Sequence, residues 1–154
     1  MSRDGLFLVI QLGADRYAID TAAVIEVLPL VRLKALPGGP VGVAGVMNFR
    51  ATAVPVVDLN LIATATPTPS RLTTRIIVVR YEEEASMLGL LVPEAAEVQR
   101  FDVDAFVDAG IATDGARYLG AVLTTPKGVV QRVTVSELLT PALRDALFRQ
   151  TASV

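Results

Sequence analysis

Short β-branched runs, closed at each end by glycine, proline or polar turns, repeat along this chain and leave few folds open. Arg75–Tyr81 is one continuous run, and Met87–Val92 follows it across a charged loop at 82–86. Val43–Phe49 and Ala53–Val57 flank a polar turn at Arg50. Tyr118–Leu123 and Val129–Val135 flank Thr125-Pro126-Lys127-Gly128, a good turn sequence. In Leu6–Leu12 the residues Leu6, Leu8, Ile10 and Leu12 share one face, while Phe7 and Val9 occupy the other. Apolar residues on both faces predict a strand covered on both sides. Tyr17–Asp20 is its returning strand, and Glu94–Phe101 alternates weakly as a further one.

Helix signals are few. Asp20 or Thr21 can cap a single turn through Val24, after which Ile25–Leu28 is extended and closed by Pro29. Asp58 can cap a short turn through Ile62, and Ser136–Leu139 reads as another. Thr140-Pro141 starts a C-terminal helix at about 140–149, with Leu143 and Leu147 stacked at i, i+4. Lys34–Val41 is a loop, and the small, low-complexity stretch Ala63–Ser70 is expected to be a mobile surface connection. Asp102–Ala116 is irregular. Many short strands with few helices argue for barrels or a sandwich.

Composition removes whole classes of chemistry. The chain of 154 residues has no cysteine and no histidine. Disulfides, histidine- or cysteine-ligated zinc, and Ser-His or Cys-His catalysis are therefore excluded. A net charge of −2 gives no electrostatic reason to bind nucleic acid or an anionic membrane surface. No stretch reaches the roughly 18 apolar residues of a membrane span, so a soluble, cytoplasmic protein without membrane insertion is expected. The glycines at 38, 39, 42 and 45 match no phosphate-binding fingerprint. Asp102, Asp104 and Asp108 lack the spacing of a calcium loop and read as solvated carboxylates, as do Glu82, Glu83 and Glu84. No metal site and no cofactor is expected.

Two charges stand out. Glu26 lies in an apolar row with Val24 and Leu28, with Ile25 and Val27 on the other side. It is either a salt-bridged edge residue or part of an interface. Arg50 sits on a turn beside Phe49, as a surface ion pair or as a forked donor to a partner.

Tyr17-Ala18-Ile19-Asp20, Val24-x-Glu26-Val27, Pro37-x-x-Pro40, Gly45-Val46-x-Asn48-Phe49-Arg50 and Val54-Pro55-Val56-Val57-Asp58-Leu59 occur in that order. Together they resemble the signature of CheW, the bacterial chemotaxis coupling family. The likeness runs from about Leu6 to Leu139 and is looser in the second half. It implies a single domain over 1–154, all-β with short helices: two five-stranded SH3-like barrels with a hydrophobic groove between them. The expected barrels span about 17–62, and 6–16 plus 74–139.

The resemblance also implies a non-catalytic adaptor, monomeric in isolation. It would couple the cytoplasmic hairpin of a chemoreceptor to the regulatory domain of a CheA-type histidine kinase. Val24 and Glu26 match positions associated with kinase docking. Asn48 and Arg50 match an Asn-Leu-Arg-Gly turn associated with receptor and kinase coupling, and Phe49, counted with them as partner-binding, stands where that turn has leucine. Ala51 stands where that turn has glycine, which implies loss of positive φ. Gln131 and Arg132 interrupt a normally apolar strand, and the departures suggest a divergent paralogue. Rival readings are a barrel that binds a metabolite, a small carboxylate-based enzyme, and a coupling-type domain that blocks assembly.

Overall fold

In a computed structural model describing residues 3–81, 86–108 and 118–152, the β-branched runs form ten strands. They are β1 (Asp4–Leu12), β2 (Asp15–Asp20), β3 (Val24–Pro29), β4 (Val43–Phe49), β5 (Thr52–Asp58), β6 (Arg75–Tyr81), β7 (Ser86–Val92), β8 (Glu94–Asp102), β9 (Leu119–Thr125) and β10 (Gly128–Val133). Two helices accompany them, α1 (Leu59–Thr64) and α2 (Pro141–Ala152). The acidic loop tip Glu82–Glu84 and residues 109–116 of the irregular stretch lie outside the described residues.

The strands divide into two five-stranded sheets, β8-β1-β2-β10-β9 and β3-β6-β7-β5-β4. This corrects the sequence-based division of strands. The Tyr17–Asp20 strand pairs with β1 and β10, not with β3–β5. The β6–β7 hairpin joins β5 through the parallel register Val56↔Gly89, Val57↔Leu90, Asp58↔Leu91. Parallel pairing between distant segments leaves no local mark in sequence.

Both sheets are built to one plan. Each has a single parallel pair at the same position, β2–β10 in the first and β7–β5 in the second. Each is closed by one bridge from the segment after its first edge strand, Val107↔Val122 and Lys34↔Val46. Closure hides strand edges that would otherwise invite aggregation. At the second closure a Cβ on Gly45 (φ 148°) would lie 2.5 Å from the Lys34 carbonyl oxygen, so only glycine lets the two backbones approach.

Apolar side chains fill three layers. Phe7, Ala18 and Val130 form the interior of the first barrel, joined by Phe101, Val103 and Phe106. Met47, Phe49, Val54, Val56, Ile76, Val78 and Leu91 form the interior of the second. Between the sheets lies the largest cluster, with Leu8, Ile10, Leu12 and Ile19 facing Val57, Ile77, Val79, Leu88 and Leu90. The two-faced apolar pattern of β1 follows directly, since one face meets each layer. α2 seals the seam: Leu147 is fully buried, and the Phe148 ring stacks on Tyr81 at 5.4 Å.

Tyr17 and Tyr118 border this seam, and burial holds both phenols above their ordinary pKa, with Asp15 adding to the shift at Tyr17 and Tyr17 to that at Tyr118. An acid whose folded pKa is raised contributes stability that is complete below the unfolded pKa and lost as pH rises through the folded one. Stability should therefore fall as pH climbs above about 10. Denaturant titrations should show a shallower decline in Tyr17→Phe.

The connection after α1 is pinned rather than mobile. Asp58 caps α1 through Leu61 N (3.1 Å) and also accepts from Thr68 N (2.9 Å) and Thr68 Oγ1 (2.5 Å). Asn60 accepts from Gly13 N (3.0 Å) and donates to Thr66 O (2.9 Å), tying the β1–β2 turn to the same connection. The compositional signal misled because threonine is small and polar yet hydrogen-bonds well. The Ser136–Leu139 helix is a 3-10 turn at Val135–Glu137 instead.

Candidate functional site

Barrel closure brings β3 up to the β4–β5 turn, so Glu26 and Arg50 meet although they lie 24 positions apart in the chain. Arg50 Nη2 donates to Glu26 Oε1 at 2.8 Å, with the side chains 67% and 37% exposed. The guanidinium also lies 4.7 Å from the centroid of the buried Phe49 ring, capping the mouth of the second barrel. Glu26 and Arg50 thus form an ordered charged pair on an aromatic floor, open to solvent on its outer side.

The turn beneath them is a two-residue hairpin loop. Phe49 pairs with Thr52, and Arg50 and Ala51 both have positive φ, 50° and 66°. Two positive φ values match the strand twist, which is why such loops favour glycine and asparagine. Ala51 therefore retains the backbone that its identity argued against. The Asn48 side chain helps hold it there, its Oδ1 accepting from Ala51 N at 2.9 Å. An L-residue in this region costs roughly 1–2 kcal/mol. Ala51→Gly should therefore stabilise the fold by about 0.5–1 kcal/mol after the entropy of the freer unfolded chain is subtracted. Chemical denaturation of the purified variant measures this directly.

Of the five residues singled out in sequence, four converge: Glu26, Asn48, Phe49 and Arg50. Val24 does not join them. The β3–β6 register slips between Val24 and Glu26, a bulge that breaks the expected common face. Val24 packs instead against the inter-sheet core, and Ile25 and Leu28 against the second barrel's interior. Val27 is left outward, 39% exposed, beside Leu30 at 38%. A one-residue bulge alters no composition, so nothing in the sequence announced it.

Sequence reasoning missed the role of Arg132. Its guanidinium lies 5.1 Å from the Phe7 ring centroid and 5.5 Å from that of Phe106, with Asp20 Oδ2 3.8 Å away. It caps the first barrel's aromatic interior much as Arg50 caps Phe49, so the charge in this largely apolar strand has a structural reason. Arg132 also borders a cleft of about 280 Å³ between the sheets, lined further by Asp20, Ala23, Arg80 and Ser136.

The acidic groups offer little chemistry. Asp102 Oδ1 accepts from Asp104 N (3.0 Å), and Asp104 pairs with Arg3 at 3.0 Å. The hydrogen bond from Arg3 holds the exposed Asp104 carboxyl below its usual range. Among the described residues no cluster of three or more acidic side chains could hold a metal ion. No helix among them is long and apolar enough to cross a membrane.

Known proteins place this architecture. The scaffolding protein TtCheW from Thermoanaerobacter tengcongensis has a similar structure, with a TM-score of 0.79 and 22% sequence identity over 92% of each chain. That likeness establishes the fold, two SH3-like barrels. No curated protein sequence matches the chain. The family model of the CheW-like domain matches residues 6–142, nearly the whole length, and the chain belongs to that family of chemotaxis scaffolds.

Proposed function

We propose that this protein is a non-catalytic adaptor that couples the cytoplasmic hairpin of a chemoreceptor to the regulatory domain of a CheA-type histidine kinase. Family membership supports the class of role. The observation that carries the finer reading is the Glu26–Arg50 pair, exposed yet already ordered on Phe49. A charged pair held in place before binding loses less side-chain freedom on docking than a free arginine and glutamate would. Such pairs set register and orientation, while neighbouring apolar residues supply affinity. Val27 and Leu30 on the adjacent edge are exposed apolar candidates for that part.

In this reading Glu26, Phe49 and Arg50 form the kinase-facing patch, Asn48 maintains its turn, and Val24 acts only by fixing β3 on the core. The protein works in the cytoplasm beside membrane receptors. Co-purification with a CheA-type kinase tests it: the wild-type chain is expected to capture the kinase regulatory domain, and failure to do so at micromolar concentrations would contradict the assignment.

A further inference from the structure

The common plan of the two barrels allows their mouths to be compared position by position. Aligning the closing bridges sets Val46 against Val122 and Lys34 against Val107. The Arg50-Ala51 turn then corresponds to Pro126-Lys127, and Glu26, eight residues before Lys34, to Gln99, eight before Val107. Strand register supports the match: Glu26 lies opposite Val78 and Gln99 opposite Phe7, each an interior residue of its own barrel.

Where the second barrel balances its cation with Glu26, the first has a neutral glutamine and more cations. A cavity of about 360 Å³ opens at this mouth, and its lining includes Arg16, Arg100 and Lys127 together with Phe101 and Leu123. Arg16, one of the lining residues, has its Nη1 buried without any hydrogen-bond partner among the described residues. Arg16, Arg100 and Lys127 form no ion pair among the described residues. Asp102, the carboxylate on the rim, already caps the following 3-10 turn through Asp104 N. A buried guanidinium N–H left unpaired is costly, and buried polar groups in folded proteins almost always find a partner. The cavity's size falls at the lower end of small-ligand sites.

We propose that this mouth is a binding site for a small organic oxyanion, a carboxylate or phosphate ester on an apolar body. Arg16 holds the oxyanion, Lys127 adds charge at the entrance, and the body rests on Phe101 and Leu123. The second barrel cannot bind such a ligand in this way, because Glu26 occupies the corresponding place. The site is independent of the adaptor role and stands or falls separately from it.

Amide chemical-shift titrations with sodium benzoate and with inorganic phosphate, at ionic strength fixed with chloride, test the proposal. Benzoate is expected to give saturable shifts at residues 16, 100 and 123–127, and to bind more tightly than acetate because its ring meets the apolar floor. Phosphate shifting the same amides more strongly than benzoate would assign phosphate esters as the ligand class; the reverse order would assign carboxylates. Arg16→Gln should weaken binding about tenfold, the loss of one charge-assisted contact, and Arg71→Gln should leave it unchanged. Lys127→Gln provides the same reading should Arg16→Gln fold poorly. Shifts that stay linear with concentration, shifts confined to the cleft beside Arg80 and Arg132, or equal affinities for wild type and both variants would overturn it.

Discussion

Glu26→Lys is expected to weaken binding to the kinase regulatory domain by about a hundredfold or more, because reversing a charge within a docking patch costs several kcal/mol. The same change should alter folding stability by no more than about 1 kcal/mol, since the Glu26–Arg50 pair is solvent-exposed. Arg50→Ala removes both the ion pair and the cap on Phe49, and a loss of about thirtyfold is expected, in the range of an interface hot spot. A charge swap separates docking from internal support. Glu26→Arg combined with Arg50→Glu restores an attractive pair across the barrel closure but presents the opposite pattern to a partner. Recovery of kinase binding in the swap would mean that the pair matters only for holding the barrel mouth. Continued loss, with a melting temperature near wild type, is the expected result.

The largest stability effect is expected at Asp58. Its carboxylate is buried and accepts three hydrogen bonds, one capping α1 and two from Thr68. Asp58→Ala removes the cap, worth about 1 kcal/mol, and leaves the Thr68 donors without their charged acceptor. A total near 3 kcal/mol follows, or a melting temperature lowered by roughly 6–12 °C for a chain of this size. Asp58→Asn keeps an acceptor oxygen and should cost less than half as much. Because the connection held by Thr68 lies at the far end of β5 from the Arg50 turn, kinase affinity of the folded Asp58→Asn protein should match wild type. Thermal melts followed by circular dichroism, paired with one binding curve, check both statements.

Local physics was legible in the sequence, and long-range pairing was not. β-branched runs marked the strands, since branched side chains pack well on a pleated surface. Pro93 separated β7 from β8, and Thr140-Pro141 marked the start of α2, where Thr140 Oγ1 accepts from Leu143 N. What failed were features with no local cost in composition. The parallel pairs β2–β10 and β5–β7 join segments far apart in the chain, so chain order alone assigns strands to the wrong barrels. The bulge at Ile25 separated Val24 from Glu26. Ala51 adopts positive φ because the barrel closure and Asn48 outweigh its own preference.

The candidate site was found through resemblance and given its geometry by the fold. Glu26 and Arg50 were each conspicuous, yet neither pattern nor spacing paired them. Only the closure of β4 onto the segment after β3 does so, through Lys34↔Val46. Arg16 and Lys127 carry no signal for the same reason, because isolated cations are unmarked until a fold gathers them.

The adaptor account requires that both partners bind at once. Light scattering on a mixture of this protein, a CheA-type kinase regulatory domain and a receptor hairpin fragment measures that directly. A single species whose mass is the sum of the three components is the predicted result. Mutually exclusive binary complexes, in which added kinase domain displaces the receptor fragment, would contradict it and identify a blocker of assembly instead.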